Sequence, residues 1–256
     1  IATLIVATNV ASAEGSVITV NSSNDNRITD GKCTFREASI NANENKDLTG
    51  GDCVAGTGAD IIEFDITSNE GAGPHKITTD NHIYFTESVE IDGYSEEGSV
   101  KNTAISPQPI NSELMIIIDG SDAPYPGPAC LWVNADNVKI SGLVINNCSS
   151  DGIKVHVGSN VEISGNYIGT DVTGMLPRGV GGDDLEIARG IGVFFNAVNN
   201  SVIGGVNPEN RNIIASNQAG DVFMGNETNH ANLSENNKSQ GNYIGIAKDG
   251  MKPLLS

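Results

Sequence analysis

Apolar residues in this chain alternate with polar ones in short runs, each closed by glycine or asparagine. "GIKVHV" (Gly152 to Val157), "GIGVFF" from Gly190 and "GDVFM" from Gly220 are examples, and "NVKISG" (Asn137 to Gly142) and "NVEISG" (Asn160 to Gly165) share the pattern. Runs of four to six residues rich in β-branched side chains predict short strands, and a helical solenoid would need longer apolar periodicity. In "GIKVHV", alternation directs Ile153, Val155 and Val157 to a core and Lys154 and His156 to solvent.

The runs recur. Gly165 to Gly174 reads "GNYIGTDVTG" and Gly241 to Gly250 reads "GNYIGIAKDG", 241 − 165 = 76 residues later. The "NVKISG" and "NVEISG" runs are 160 − 137 = 23 apart, so 76 divides into three steps of about twenty-five, a period that marks a solenoid. Short strands separated by residues that tolerate positive φ predict the coils of a parallel β-helix, each stable only against its neighbours. Gly165, Asn166 and Gly169 are expected at corners, with Tyr167 and Ile168 as the strand between. Asn166 and Asn242, at equivalent corners, are expected to join ladders of side-chain amides running from coil to coil.

The N-terminal part differs. In "CTFREASINANEN", Thr34 precedes an apolar-periodic run with Glu37 three residues on, a capping box that predicts a helix from about Phe35 to Asn43. Turned inward on Phe35, Ala38 and Ile40, it would close the open end of the stack. Residues 1–13, an apolar stretch ending in Ala11-Ser12-Ala13, are expected to be the remnant of an export signal, an ordinary first strand being the alternative. Residues 14–60 are assigned to an N-terminal cap and 61–256 to the β-helix. "GNYIGIAKDGMKPLLS" stops partway through a repeat, so the chain is expected to continue past Ser256.

Composition narrows the function. The 256 residues include 14 Lys and Arg against 32 Asp and Glu, a formal charge of −18 that repels phosphate backbones and excludes nucleic acid as a partner. No stretch is long and apolar enough for a membrane-spanning helix. Cysteines 33, 53, 130 and 148 lack the spacing of a zinc site. Pairing of Cys33 with Cys53 and of Cys130 with Cys148 is expected, four inert buried thiols being the alternative. Asn-x-Ser/Thr sequons, among them those at Asn21, Asn199, Asn226, Asn232 and Asn237, are read as chance in asparagine-rich corners.

Taken together, "CTFREASINAN" is similar to the CSLREA motif. "VEIDGYSEEG", "IIIDGS", "VKISGLVINN", "GNYIGTDVTG" and "RNIIASN" then follow in the order used by exported right-handed parallel β-helix repeat proteins. The resemblance spans roughly Cys33 to Gly250. It implies an all-β, right-handed parallel β-helix with a short N-terminal capping helix, in a secreted or surface protein of a bacterium or archaeon. It implies no reaction, since the same architecture serves adhesins, polysaccharide lyases and epimerases.

One departure from the pattern bears on chemistry. After "GTDVTG" the string "MLPRGVGGDDLEIARG" intervenes, stretching the step from Gly152 to Gly190 to 38 residues. A lyase or epimerase of acidic glycans would need a base and a neutralised carboxylate, for which Lys154, His156, Arg178 and Arg189 are the candidates. Asp183, Asp184 and Glu186 are the candidate Ca²⁺ ligands; no other cofactor is implied. The competing reading is a solvated acidic loop tip with Arg189 as its local partner. Trp132 and Tyr125 are either sugar-stacking platforms or loop residues buried beside "PYPGP", the latter preferred because a lone Trp is not an array. The expected function is therefore non-catalytic: adhesion, binding of a polysaccharide or other surface glycan, or a stiff stalk, with the lyase or epimerase as alternative.

Overall fold

Every named strand pairs in parallel, and the chain visits three sheets in rotation. The computed structural model describes residues 14–124, 127, 129–181, 190–226 and 234–255. The first sheet takes Glu14–Val20, Ala59–Phe64, Val89–Asp92, Lys139–Ser141, Glu162–Ser164, Val202–Gly204 and Lys238–Gln240. The second takes His75–Thr78, Ile116–Asp119, Leu143–Asn146, Tyr167–Ile168, Ile213–Ile214 and Tyr243–Ile244. The third takes Ile83–Phe85, Leu131–Asn134, Ile153–Ser159, Ile191–Asn196 and Gly220–Gly225, with Val198–Asn199 paired beside Ile153–Ser159.

Register stacks like residues on like. Ile62, Ile91, Ile140, Ile163 and Ile203 pair successively along the first sheet, and Ile77, Ile118, Ile145, Ile168 and Ile214 along the second. Both rows are fully buried and join Ile153, Val155 and Val193 of the third sheet in one hydrophobic core. Each such side chain contributes about 1.5–3 kcal/mol by leaving water, a gain realised only when a neighbouring layer covers it.

The repeated sentence is built as its residues dictate. Gly165, Gly169, Gly241 and Gly245 all have positive φ and flank the two-residue strands Tyr167–Ile168 and Tyr243–Ile244. A Cβ on Gly169 would also sit 2.0 Å from the Ala215 carbonyl oxygen, so the next turn leaves no room for a side chain there. The alternation read in "GIKVHV" holds through Val155 and then breaks. The register with the preceding strand shifts between Val155 and Val157, and Val157 is only half-buried rather than part of the core. The long step is real: Ile153 pairs with Leu131 before it (153 − 131 = 22) and Val193 after it (193 − 153 = 40). Half of the intervening string, 182–189, lies outside the described residues, as do residues 1–13 of the expected export signal.

The helix forms over Phe35–Glu44 with both halves of the capping box: Thr34 Oγ1 accepts from Glu37 N–H, and Glu37 Oε2 accepts from Thr34 N–H. Phe35 and Ala38 are fully buried, and Phe35 packs on Phe64 and Phe85. Ile40 is half-buried, turned toward a surface groove and not into the core. Both cysteine pairs are disulfide-bonded, Cys33–Cys53 and Cys130–Cys148. No described helix is long and apolar enough to cross a membrane.

The outer face of the second sheet is apolar too, and an excursion over residues 97–114 covers it. Ile110 and Leu114 bury Val144, Tyr167, Ile213 and Tyr243 beneath them. Hydrogen bonds fix this strap to segments far along the chain. Asn102 Nδ2 donates to the Pro208 carbonyl at 2.8 Å, Arg211 to that of Ala104 at 3.1 Å, and Ile110 N–H to that of Lys248 at 2.9 Å.

Candidate functional site

The third sheet carries a different outer face. Five of its strands contain the triplets Ile83-Tyr84-Phe85, Leu131-Trp132-Val133, Ile153-Lys154-Val155, Val193-Phe194-Phe195 and Val222-Phe223-Met224. In each triplet the outer residues belong to the core or pack against it. The central residues fall outside that core and pair in register: Tyr84 with Trp132, Trp132 with Lys154, Lys154 with Phe194, and Phe194 with Phe223. The result is one row of four aromatic rings and a lysine, set at the strand spacing of about 4.8 Å. Trp132 is thus a strand residue in an array, contrary to the reading that buries it in the neighbouring loop; Tyr125 lies outside the described residues.

Lys154 sits inside the row. Its ammonium lies 5.1 Å from the Trp132 ring centroid and 4.7 Å from that of Phe194, within reach of favourable cation–π attraction. Phe194 meets Phe223 edge-on at 4.9 Å. On either side of Trp132 stand His82 and His156, each with its ring centroid 5.7 Å from the indole. Asn196 Nδ2 lies 3.3 Å from His156 Nδ1 and donates to the His156 carbonyl at 3.2 Å, which fixes that imidazole against the sheet. Tyr84 and Phe223, at the two ends, are 36% and 41% exposed, so the row's ends stay open to solvent.

At the Tyr84 end the row runs into a groove of about 480 Å³ between the third sheet and the N-terminal helix. Strand Ile83–Phe85 is the last of its sheet, and the helix takes the place of a further strand. Asn43 Nδ2 donates to the Tyr84 carbonyl at 2.7 Å, Asn43 Oδ1 accepts from Thr86 N–H at 2.8 Å, and Arg36 donates to the carbonyls of Asn81 and His82. Arg36 also grips Asp25 with two hydrogen bonds, Nε to Oδ1 at 2.9 Å and Nη2 to Oδ2 at 2.5 Å. Burial raises the Asp25 carboxyl above its ordinary range, while Arg36 pulls it the other way. His82 is held below the ordinary histidine range, first by burial and then by the Arg36 charge. Its Nδ1 is buried without a hydrogen-bond partner.

Of the residues considered for uronate chemistry, Lys154 and His156 share one strand and one outward face. Arg178 lies in the loop after Tyr167–Ile168, exposed, with its guanidinium donating to the Pro177 carbonyl at 3.1 Å. Arg189, Asp183, Asp184 and Glu186 lie outside the described residues. Among the described residues no cluster of three His, Cys, Asp or Glu is placed to hold a metal ion. Three sequon asparagines serve the backbone: the side chain of Asn21 accepts from Cys33 N–H, that of Asn199 from Glu235 N–H and that of Asn237 from Ser201 N–H.

The aromatic row went unread in the sequence because its members are unevenly spaced, at 132 − 84 = 48, 154 − 132 = 22, 194 − 154 = 40 and 223 − 194 = 29 residues. Aligning the five apolar-x-apolar triplets on their central residue would have exposed it. No protein-family model, curated protein or solved structure matches the chain.

Proposed function

We propose that the protein is an exported module, a right-handed parallel β-helix whose outer third face binds glycan without cleaving it. The observation that carries this reading is the row Tyr84, Trp132, Lys154, Phe194, Phe223. Of the row, Tyr84, Trp132 and Phe223 keep ring surface open to solvent while Phe194 is buried beside them, and rigid rings of this kind offer stacking surface to the apolar faces of pyranoses at small cost in side-chain entropy. A chain charge of −18 disfavours nucleic acid, the other polymer that stacks on aromatic rows. Cyclic visits to three parallel sheets, a shared core and the "CTFREASINAN" run support the β-helix and its kinship with exported repeat proteins. The two disulfides favour an oxidising compartment.

The test is retention of the protein on gels containing soluble β-glucan, xylan, galactomannan, alginate or pectate, with Trp132→Ala alongside. Retardation by at least one polysaccharide, abolished in the variant, supports the reading; mobility unchanged by every polymer overturns it. Unsaturated-product absorbance appearing on alginate or pectate, with or without Ca²⁺, would instead bring forward the lyase, with Lys154, His156, Arg178 and Arg189 as its catalytic candidates.

A further inference from the structure

The aromatic track is a cul-de-sac. Its rungs follow one another across the third sheet until Tyr84, and there the helix Phe35–Glu44 replaces the next strand. A polymer laid along the rungs finds no further rung beyond Tyr84, only the groove. Resting on the glycan reading above, the geometry points to recognition of a chain end: the groove between the helix and strand Ile83–Phe85 takes the terminal residue of a linear, uncharged polysaccharide whose following residues stack on Trp132 and beyond.

Three observations support this. The groove is continuous with the track, because His82 lines it and also packs against both Tyr84, at 5.8 Å, and Trp132, at 5.7 Å. Its charged lining is Arg27 and Arg36 against Asp25 and Asp80, 2 − 2 = 0, a neutral site within a chain of charge −18. Arg36 gives none of this to an anion, since Asp25 and the Asn81 and His82 carbonyls hold it. Finally, His82 Nδ1 is a buried polar atom with no partner in the protein. A buried group left so costs stability, and rotation of the ring toward the groove would let a ligand pair with it. A sugar hydroxyl suits it whichever tautomer the ring adopts, because a hydroxyl both donates and accepts.

End recognition has a stoichiometric signature. Each polysaccharide of the panel is titrated calorimetrically against the full chain, intact and after partial hydrolysis that raises the number of chain ends about tenfold at constant mass. Binding sites per unit mass should rise in proportion to chain ends. A site count that follows mass and ignores ends overturns the inference while leaving glycan binding intact, whereas no heat with any polymer removes the glycan reading itself. His82→Phe keeps a ring against Tyr84 and Trp132 and deletes the nitrogen. It should weaken binding about tenfold without lowering the melting temperature at neutral pH, and unchanged affinity in a folded variant would likewise overturn the groove's role.

Discussion

Asn212 Oδ1 accepts the backbone N–H of Asn166 at 2.8 Å and lies 3.3 Å from its side-chain amide nitrogen. Asn242 Oδ1 in turn accepts from Asn212 N–H at 3.2 Å and from Asn212 Nδ2 at 2.9 Å. The three form a ladder, and each rung also serves strand backbone: Asn166 accepts from Leu143 N–H and donates to the Ile140 carbonyl. Asn166 is fully buried, so Asn166→Ala strands those groups away from water and should cost about 3 kcal/mol. Asn242 is half-buried at the ladder's end, where water can substitute, and Asn242→Ala should cost about 1 kcal/mol. Urea unfolding of the two variants checks the ranking; equal losses would mean that the ladder is not what stabilises these corners.

Trp132→Ala and Ile163→Ala separate binding from folding. Trp132 is half-buried on the outer face, and its removal should cut glycan affinity at least tenfold with a stability loss of about 1 kcal/mol. Ile163 lies fully buried between Ile140 and Ile203, and its truncation should cost about 2–5 kcal/mol. Binding titration and thermal melting on the same preparations read both effects.

The Cys130–Cys148 disulfide closes a loop with a sequence separation of 18 residues and ties the entry of strand Leu131–Asn134 to the end of strand Leu143–Asn146. Replacing both cysteines with alanine should lower stability by about 3 kcal/mol, the entropy regained by the unfolded chain. Because strand Leu131–Asn134 carries Trp132, glycan affinity is the second readout, and it should fall with stability.

Alkaline pH should loosen the strap. Burial pushes the hydroxyls of Tyr94 and Tyr167 above the ordinary tyrosine range; Tyr167 bonds with Ser112, and Tyr94 donates to the Gly165 carbonyl. Both folded-state values are raised, so this contribution to stability is complete below about pH 10 and is lost as pH rises above it. Near-ultraviolet absorbance during a pH titration should show tyrosine ionisation coinciding with loss of structure. Tyrosines that ionise at their ordinary pH in the folded protein would contradict it.

Acid acts through the groove. His82 has its folded-state value lowered, so the unfolded chain binds the proton more readily, and stability should fall as pH drops below about 6.5. His82→Phe should remove that component of the pH dependence, which thermal melts between neutral and mildly acid buffer would show.

Much of the architecture could be read from residues that have one physical option. Gly165 and Gly241 had to be corners because their backbone is left-handed, and Thr34 with Glu37 had to begin a helix because each satisfies the other's exposed N–H. The outer face of the third sheet was opaque for a different reason: Tyr84, Trp132, Lys154, Phe194 and Phe223 become neighbours only once unequal loops have been drawn out between strands. Local alternation says that each points outward. Only register says that they point outward together, and register depends on long-range pairing that no window of sequence contains. The groove needed still more, the docking of helix Phe35–Glu44 against a strand some forty residues later.

A pile of coils held only by nearest neighbours should fray from its last layer inward, each rung peeling away without disturbing those behind it. The 97–114 strap changes that behaviour, because it leaves the early part of the chain and anchors at Pro208, Arg211 and Lys248. It works as a splint bound lengthwise along a stack of coins: the far end cannot loosen without lifting the splint from Tyr167 and Val144 near the middle. Melting should thereby turn from gradual unzipping into a concerted event, with the distance over which the molecule responds as one body set by the reach of a single loop.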